Sequence, residues 1–342
     1  MRILNLEGRY FVSALKKLGH EVLCIGQGPG SDLNLEHYLP LKELLGFLQG
    51  KRFQPDVILW CDTCRPPGVI GFEALPALTI GFSIDQYCNP WHHPYSAAFD
   101  LMLVAQKDYL PLFEQVNMPR PAHWFPLFCD QDVDIDPGVA RDIPVSFVGT
   151  LTGSINAARK PFLDEFKRIH PLYMRQGEYA PVFGRSRIVL NQSAAGELNF
   201  RIFQAAACGA AMLTEDTENG LLDLFTPGED ILSPYKKGDA GDAARIARES
   251  LADPESLSAV ALAGRDKVLK NHSAGVRAEA LLSWAGSMLR DRAFGWRIQN
   301  QRIVRRELVK AYQFLATDME LGLPPHLREF FADLGERYRA TG

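Results

Sequence analysis

The run from Ser186 to Glu215 constrains the fold more than any other stretch of the chain. It spells strand, polar loop, short helix, glycine stop and strand. Arg187 to Leu190 is a short apolar run of the kind that forms a buried strand. Asn191 to Glu197 has the small, polar composition of a loop. Asn199 can cap a helix whose apolar face is Phe200, Phe203, Ala207 and Cys208, with Gly209 at the stop. Ala211 to Leu213 is the next strand, with Thr214 and Glu215 at its carboxyl end. Ligands of open parallel sheets sit beyond the carboxyl ends of the strands, and free N–H groups at a helix start favour an anion there. Arg201, in the first helical turn, adds a fixed cation. These residues predict a phosphate-bearing ligand site in an α/β domain.

A chain of 342 residues suggests two domains rather than one. Its net charge of −4 provides no general basic field for nucleic acid. The start, Met1-Arg-Ile-Leu-Asn-Leu6, runs straight into a strand without a long apolar region, so no secretion signal and a cytoplasmic location are expected. No stretch approaches the ~20 apolar residues that span a bilayer. The six cysteines sit mostly in apolar runs, and reduced thiols are the expectation. Cys61-x-x-Cys64 is half of a redox or metal motif, but no second pair of ligand spacing follows. The plain reading is two buried thiols at a strand end.

Residues 1–145 alternate strand and helix signals, with strands at Arg2–Leu6, Glu21–Ile25, Pro55–Trp60, Leu78–Ser83 and Leu101–Ala105, and helices at Tyr10–Leu18 and Leu41–Leu48. This alternation predicts a parallel, doubly wound sheet. Asp62 and the cluster from Asp85 to His93 follow predicted strands, where a carboxylate or imidazole can act as a general base. Asp85 leads, with His92 next, although a loop aspartate and packed histidines are the blander reading. His92-His93 is weak as a metal site, since adjacent side chains rarely face one ion. The aperiodic, charged segment 133–144 reads as a linker.

A second strand–turn–helix pattern then begins at Pro144–Gly149, with Arg159 and Lys160 before a helix from Leu163 to Ile169. Asp230–Tyr235 reads as a strand. Ala240–Ala252, Glu255–Ala263, Arg265–Leu269 and Val276–Arg290 read as helices. The tail, 292–342, is charged, amphipathic and helical.

The ordered motifs Phe147-Val-Gly149, Ser186–Asn191, Leu198–Gly209, Leu213-Thr-Glu215, Leu224–Gly228 and Leu251–Pro254 resemble the C-terminal domain of GT-B fold glycosyltransferases of the family 1/4 kind. The likeness is closest to the CgeB-like, spore-maturation branch and covers about residues 145–280. The resemblance implies two Rossmann-like domains facing across a cleft, an acceptor domain at 1–142 and a donor domain at 143–291. A helical extension at 292–342 would pack back on the first.

It also implies a hexosyltransferase-like enzyme moving sugar from a nucleotide-diphosphate donor to a hydroxyl-bearing acceptor (glycan, protein or small molecule), retaining and metal-independent, with no cofactor. The donor residues it points to are Gly149, Arg159, Asn191, Glu197, Asn199, Arg201, Gln204, Gly209, Thr214 and Glu215, with Asp85 and His92 on the acceptor side. Arg201 would meet the diphosphate, and Gly209 would let helix and strand pack closely. In the family two glutamates stand eight apart, and the second holds the donor ribose. Here Glu197 and Gln204 are seven apart and the second is an amide, which lacks the charge-assisted strength of a carboxylate. That departure leaves open a silent nucleotide-sugar binder, and a GT-B epimerase is a third class.

Overall fold

The computed structural model describes residues 1–114 and 119–340. Residues 115–118 of the predicted first domain and 341–342 of the predicted extension lie outside them. The chain forms two compact units, one of Met1–Phe125 with Ala278–Gly342 and one of Pro126–Arg277. The sequence-based breaks fall instead at 142/143 and 291/292.

The difference at the first break has a local cause. The segment 133–144 that reads as a linker is tied into the second unit by side chains. Tyr179 donates to Asp134 at 2.8 Å, and Arg141 donates to the carbonyls of Ser186 and Cys208 at 2.9 and 3.0 Å.

The first unit is built on strands β1 (Arg2–Glu7), β2 (Glu21–Gly26), β3 (Leu33–Asn34), β5 (Val57–Cys61), β7 (Leu78–Ser83), β8 (Leu101–Val104) and β9 (Ala122–Trp124). A separate pair joins β4 (Leu39–Pro40) to β6 (Val69–Ile70). The main sheet runs β3-β2-β1-β5-β7-β8-β9, with parallel pairings throughout. Strands covered on both faces need apolar side chains at successive positions rather than alternate ones, and Val57 to Cys61 is buried throughout. The order of the strands reverses at β1/β5, the crevice where such sheets bind ligands.

The C-terminal helices complete this unit's core. Val304, Leu308, Ala311, Tyr312 and Leu315 of helix Gln301–Thr317 join Phe331 and Leu334 of Pro325–Ala340 in one cluster with Leu4, Trp60 and Phe99. Each buried large apolar side chain contributes roughly 1.5–3 kcal/mol, so this one stripe anchors the whole tail. A single Leu308→Ala substitution would cost about 2–5 kcal/mol. Arg297, 1% exposed, adds a polar staple, its Nε bridging both oxygens of Asp100 at 3.0 and 3.1 Å.

The second unit carries the parallel sheet β11-β10-β12-β13, from Tyr173–Arg175, Ile143–Val148, Ser186–Asn191 and Ala211–Thr214 respectively. Its order reverses at β10/β12. Helix Phe200–Ala207 links β12 to β13 and buries Ile202, Phe203, Ala205, Ala206 and Ala207. Gly209 ends it at φ +81, a left-handed conformation that favours glycine, and a Cβ there would overlap the Arg141 guanidinium.

Two expectations change in this unit. Asp230–Tyr235 makes only isolated bridges, Pro227 to Ile231 and Glu215 to Tyr235, so it is not a strand. The predicted helices Glu255–Ala263 and Arg265–Leu269 are one helix, Pro254–Asn271. Gly264 lies within it because the carbonyl of Asp230 passes where a Cβ would stand.

Candidate functional site

At the carboxyl edge of the second sheet, two arginines gather around one aromatic ring. Arg201 stacks 4.5 Å from the centre of the Phe147 ring, and Arg159 lies 5.8 Å from it. Arg201 donates from Nε to the carbonyl of Val148 at 2.9 Å and from Nη1 to Asn191 Oδ1 at 2.7 Å. Asn191 is fixed in turn by its own donation to Thr214 Oγ1 at 2.9 Å and by the Tyr235 hydroxyl on its carbonyl at 2.6 Å. Arg159 donates from Nε to Gln192 Oε1 at 2.9 Å and from Nη1 to the Thr150 carbonyl at 2.8 Å. Gly149 faces this group without a side chain, since a Cβ would overlap Arg201 Nη2.

Burial, and then the like charge of Arg159, push Arg201 down to about 10, while Glu197 opposes the shift. The guanidinium therefore stays charged at neutral pH. Its Nη2 donates to no group among the described residues. A half-buried cation with a spare donor, held by neutral carbonyls and an amide, is an arrangement with room for an anion.

The loop between β12 and the helix is folded by two carboxylates. Glu197 accepts from the N–H groups of Ala194 and Ala195 at 2.9 and 2.7 Å. Glu215 accepts from the N–H of Ser193 at 2.8 Å and from its hydroxyl. Burial raises the Glu215 carboxyl, and the Ser193 bonds hold it down in part. Both glutamates thus shape the loop.

Asn199 stands at the N-cap with φ −90 and ψ 169, yet its side chain makes no cap bond and its buried Oδ1 is unpartnered. The expected side-chain cap is therefore absent. Gln204 is half-buried, one turn after Arg201, and its side chain bonds to no described residue. Gly209 is not part of this edge. It lies just before β13, at the amino end of the sheet, and its role is the helix stop.

The first unit's carboxyl edge is acidic. Asp62, 1% exposed, accepts from the N–H groups of Cys64, Ile84 and Asp85 at 2.7, 3.1 and 2.9 Å. Asp85 is half-buried and accepts from the Tyr87 hydroxyl at 2.9 Å. His92 is 1% exposed, with Nδ1 bonded to Ser83 Oγ at 2.9 Å, Nε2 3.6 Å from Asp62, and Trp91 and Trp60 against its ring. Burial lowers its pKa, so it is neutral at pH 7. Its nitrogens face the protein, which removes it as a base for a bound hydroxyl and makes it an internal support of the loop.

Sequence reasoning missed several groups. Phe147 is the platform for both cations, Gln192 and Tyr235 hold the edge together, and Glu7 closes β1 in the other unit. Glu7 has left-handed backbone at φ 68 and accepts from the N–H of Gly68 at 2.7 Å. Burial pushes its carboxyl up to about 8. It lines a cavity of about 530 Å³ with Gln27, Gly28, Leu35, Thr63 and Arg65. A glutamate directly before a glycine at the end of an apolar run is the signal that pointed there.

Known proteins share this architecture. A glycosyltransferase from Rickettsia africae superposes with a TM-score of 0.62 at 11% identity, covering 85% of this chain and 99% of its own. Sucrose-phosphate synthase from Thermosynechococcus elongatus gives 0.60 at 11% identity, covering 85% and 100%. Anabaena HepE, in complex with UDP and glucose, gives 0.62 at 12% identity, covering 84% and 100%. No curated protein sequence matches significantly. The fold is that of the GT-B glycosyltransferases, and residues 141–283, which include every residue of the two-arginine edge, match the family described as glycosyl transferase-like.

Proposed function

We propose that the protein transfers a sugar from a nucleoside-diphosphate sugar to a hydroxyl-bearing acceptor, with the diphosphate held by Arg201 and Arg159. The observation that carries this is the spare Nη2 donor of Arg201, at the carboxyl edge of a parallel sheet where strand order reverses. Departure of a nucleoside diphosphate places negative charge on the phosphates. A preorganised guanidinium in a partly desolvated site stabilises that charge more strongly than water does. The match of 141–283 to a glycosyl transferase-like family and the UDP and glucose in HepE support the same ligand class. In this reading the arginines carry the leaving-group charge without a metal, and the sugar is transferred with retention. Asp85 is the carboxylate we assign to the acceptor hydroxyl.

A second reading is favoured by Gln204. Its amide, one turn from Arg201 and unpartnered, would hold ribose hydroxyls less strongly than a carboxylate. On that reading the protein binds nucleotide sugars without turning them over.

The tests separate cleanly. Calorimetric titration with a panel of nucleoside diphosphates should yield at least one ligand, and Arg201→Ala should weaken it about 100-fold. Unchanged affinity in that variant would discard the site. A donor that binds yet releases no nucleoside diphosphate, with or without acceptor alcohols, would leave only the silent binder.

A further inference from the structure

The loops after β5 and β7 bring together two thiols that no step above uses. Cys64 is exposed and Cys88 half-buried, and their sulfurs lie 3.7 Å apart. The formal Cys61-x-x-Cys64 motif misleads here, because Cys61 is 0% exposed inside β5, whereas Cys64 stands on the surface.

Asn89 keeps the two sulfurs in place. Its Nδ2 lies 3.4 Å from each and also donates to the Asp85 carbonyl at 3.0 Å. Cys64 is fixed from its own side by left-handed backbone at φ 59 and by donation of its N–H to Asp62. A disulfide needs about 2.05 Å between sulfurs, so closure asks for a shift of under ~2 Å within two surface loops.

The environment also divides the roles. The bond from Cys88, then that from Asn89, pull the Cys64 thiol down against burial and the nearby aspartates. The same sulfur–sulfur bond and burial push Cys88 up. Cys64, exposed and held down by these bonds, is thus the sulfur that attacks, and the half-buried Cys88 the partner that resolves.

We infer that Cys64 and Cys88 form a dithiol site that closes reversibly to an intramolecular disulfide on meeting a low-molecular-weight disulfide. The Cys64 thiolate attacks one sulfur of the R–S–S–R reagent, and RS⁻ leaves and takes a proton from water. Cys88 then loses its proton to water and attacks the Cys64 sulfur of the mixed disulfide, expelling the second RS⁻. Two protein thiols are oxidised and one small disulfide is reduced to two thiols. The product ties the loop that carries Asp62 to the loop that carries Asp85.

The test exposes the folded, reduced chain to oxidised glutathione and maps its peptides without reduction. The expected product is a Cys64–Cys88 linked peptide lighter by two hydrogens, reversed by dithiothreitol. Cys88→Ser should accumulate glutathione on Cys64. Cys64→Ser should leave Cys88 at least ~10-fold slower to react than Cys64 is in the Cys88→Ser chain, and Cys61→Ser should close at the wild-type rate. A Cys61–Cys64 link, mixed disulfides alone in the wild-type chain, or equal reactivity of the two thiols would overturn the assignment.

Discussion

Two arginines of this molecule pack into the protein and are finished to different degrees, Arg297 fully buried and Arg201 half-buried. Arg297, in the first unit, is 1% exposed and spends all three nitrogens internally. Nε meets Asp100, Nη1 meets the Glu73 carbonyl, and Nη2 donates to the carbonyls of Leu75 and Ala77 at 3.3 and 2.6 Å. Arg201, in the second unit, has no carboxylate in hydrogen-bond contact and no acceptor on Nη2 among the described residues. The first completes a fold, pinning residues beyond 290 to the strands of the N-terminal segment. The second keeps a donor over, which in the proposed function meets the diphosphate. Hydrogen-bond saturation separates the two cations.

The largest effect should come from breaking the finished site. Arg297→Met leaves the 6% exposed Asp100 without its counter-charge and the Ala77 carbonyl without its Arg297 donor, while Gln301 still reaches the Glu73 carbonyl and the Ala77 N–H that of Leu75. A loss of about 3–5 kcal/mol is expected, measured by urea unfolding. Burial already raises the Asp100 carboxyl, and Arg297 holds it down in part. Without the arginine it rises further, and an acid raised above its unfolded value loses stability as pH rises through its folded pKa. The penalty should therefore be smaller near pH 4 than at pH 7, and adding Asp100→Asn should recover part of it. A nucleoside diphosphate should raise Tm by the same increment as in the wild-type chain.

Arg201→Ala should show the converse. Its stability cost is about 1–2 kcal/mol, from the stranded Asn191 amide oxygen, but the ligand-induced rise in Tm should vanish. If Arg201→Ala unfolded the chain as severely as Arg297→Met, the contrast between the two sites would fail. Gly149→Ala tests the same site more gently. Its Cβ forces the Arg201 head aside without removing charge, so affinity should fall about tenfold, roughly 1.4 kcal/mol, with stability nearly unchanged.

Much of this was legible in the sequence where physics acts locally. Strands such as Val57–Cys61, buried on both faces, announce themselves as unbroken apolar runs, and the loop after Asn191 is polar because side chains bond its backbone N–H groups. Arg201 and Arg159 were visible as cations near helix starts. What escaped depends on contacts distant in sequence. Ile231, Leu232 and Tyr235 look like strand residues, but Pro234 has no N–H and the segment makes only single bridges. Gly264 looks like a helix break until the Asp230 carbonyl is seen against it. His92 has the composition of a base, and only the packing of Trp60 and Trp91 around it shows otherwise.

A last effect concerns a half-buried carboxyl with no ion-pair partner among the described residues. Glu7 is raised to about 8 chiefly by burial, despite the Gly68 N–H that favours its charged form. In the unfolded chain the same carboxyl titrates near 4.5. Its contribution is thus fully present below pH ~4.5 and is lost as pH climbs through 8. Glu7→Gln keeps the shape and the acceptor for Gly68 but has no proton to lose. The variant should therefore show a flatter stability profile between pH 5 and 8, gaining on the wild-type chain steadily by up to about 1.4 kcal/mol per pH unit. Parallel slopes in the two proteins would mean that the Glu7 carboxyl is already ionised in the fold. The contrast with Arg201 would then narrow, since both switch-point edges would carry a permanent charge.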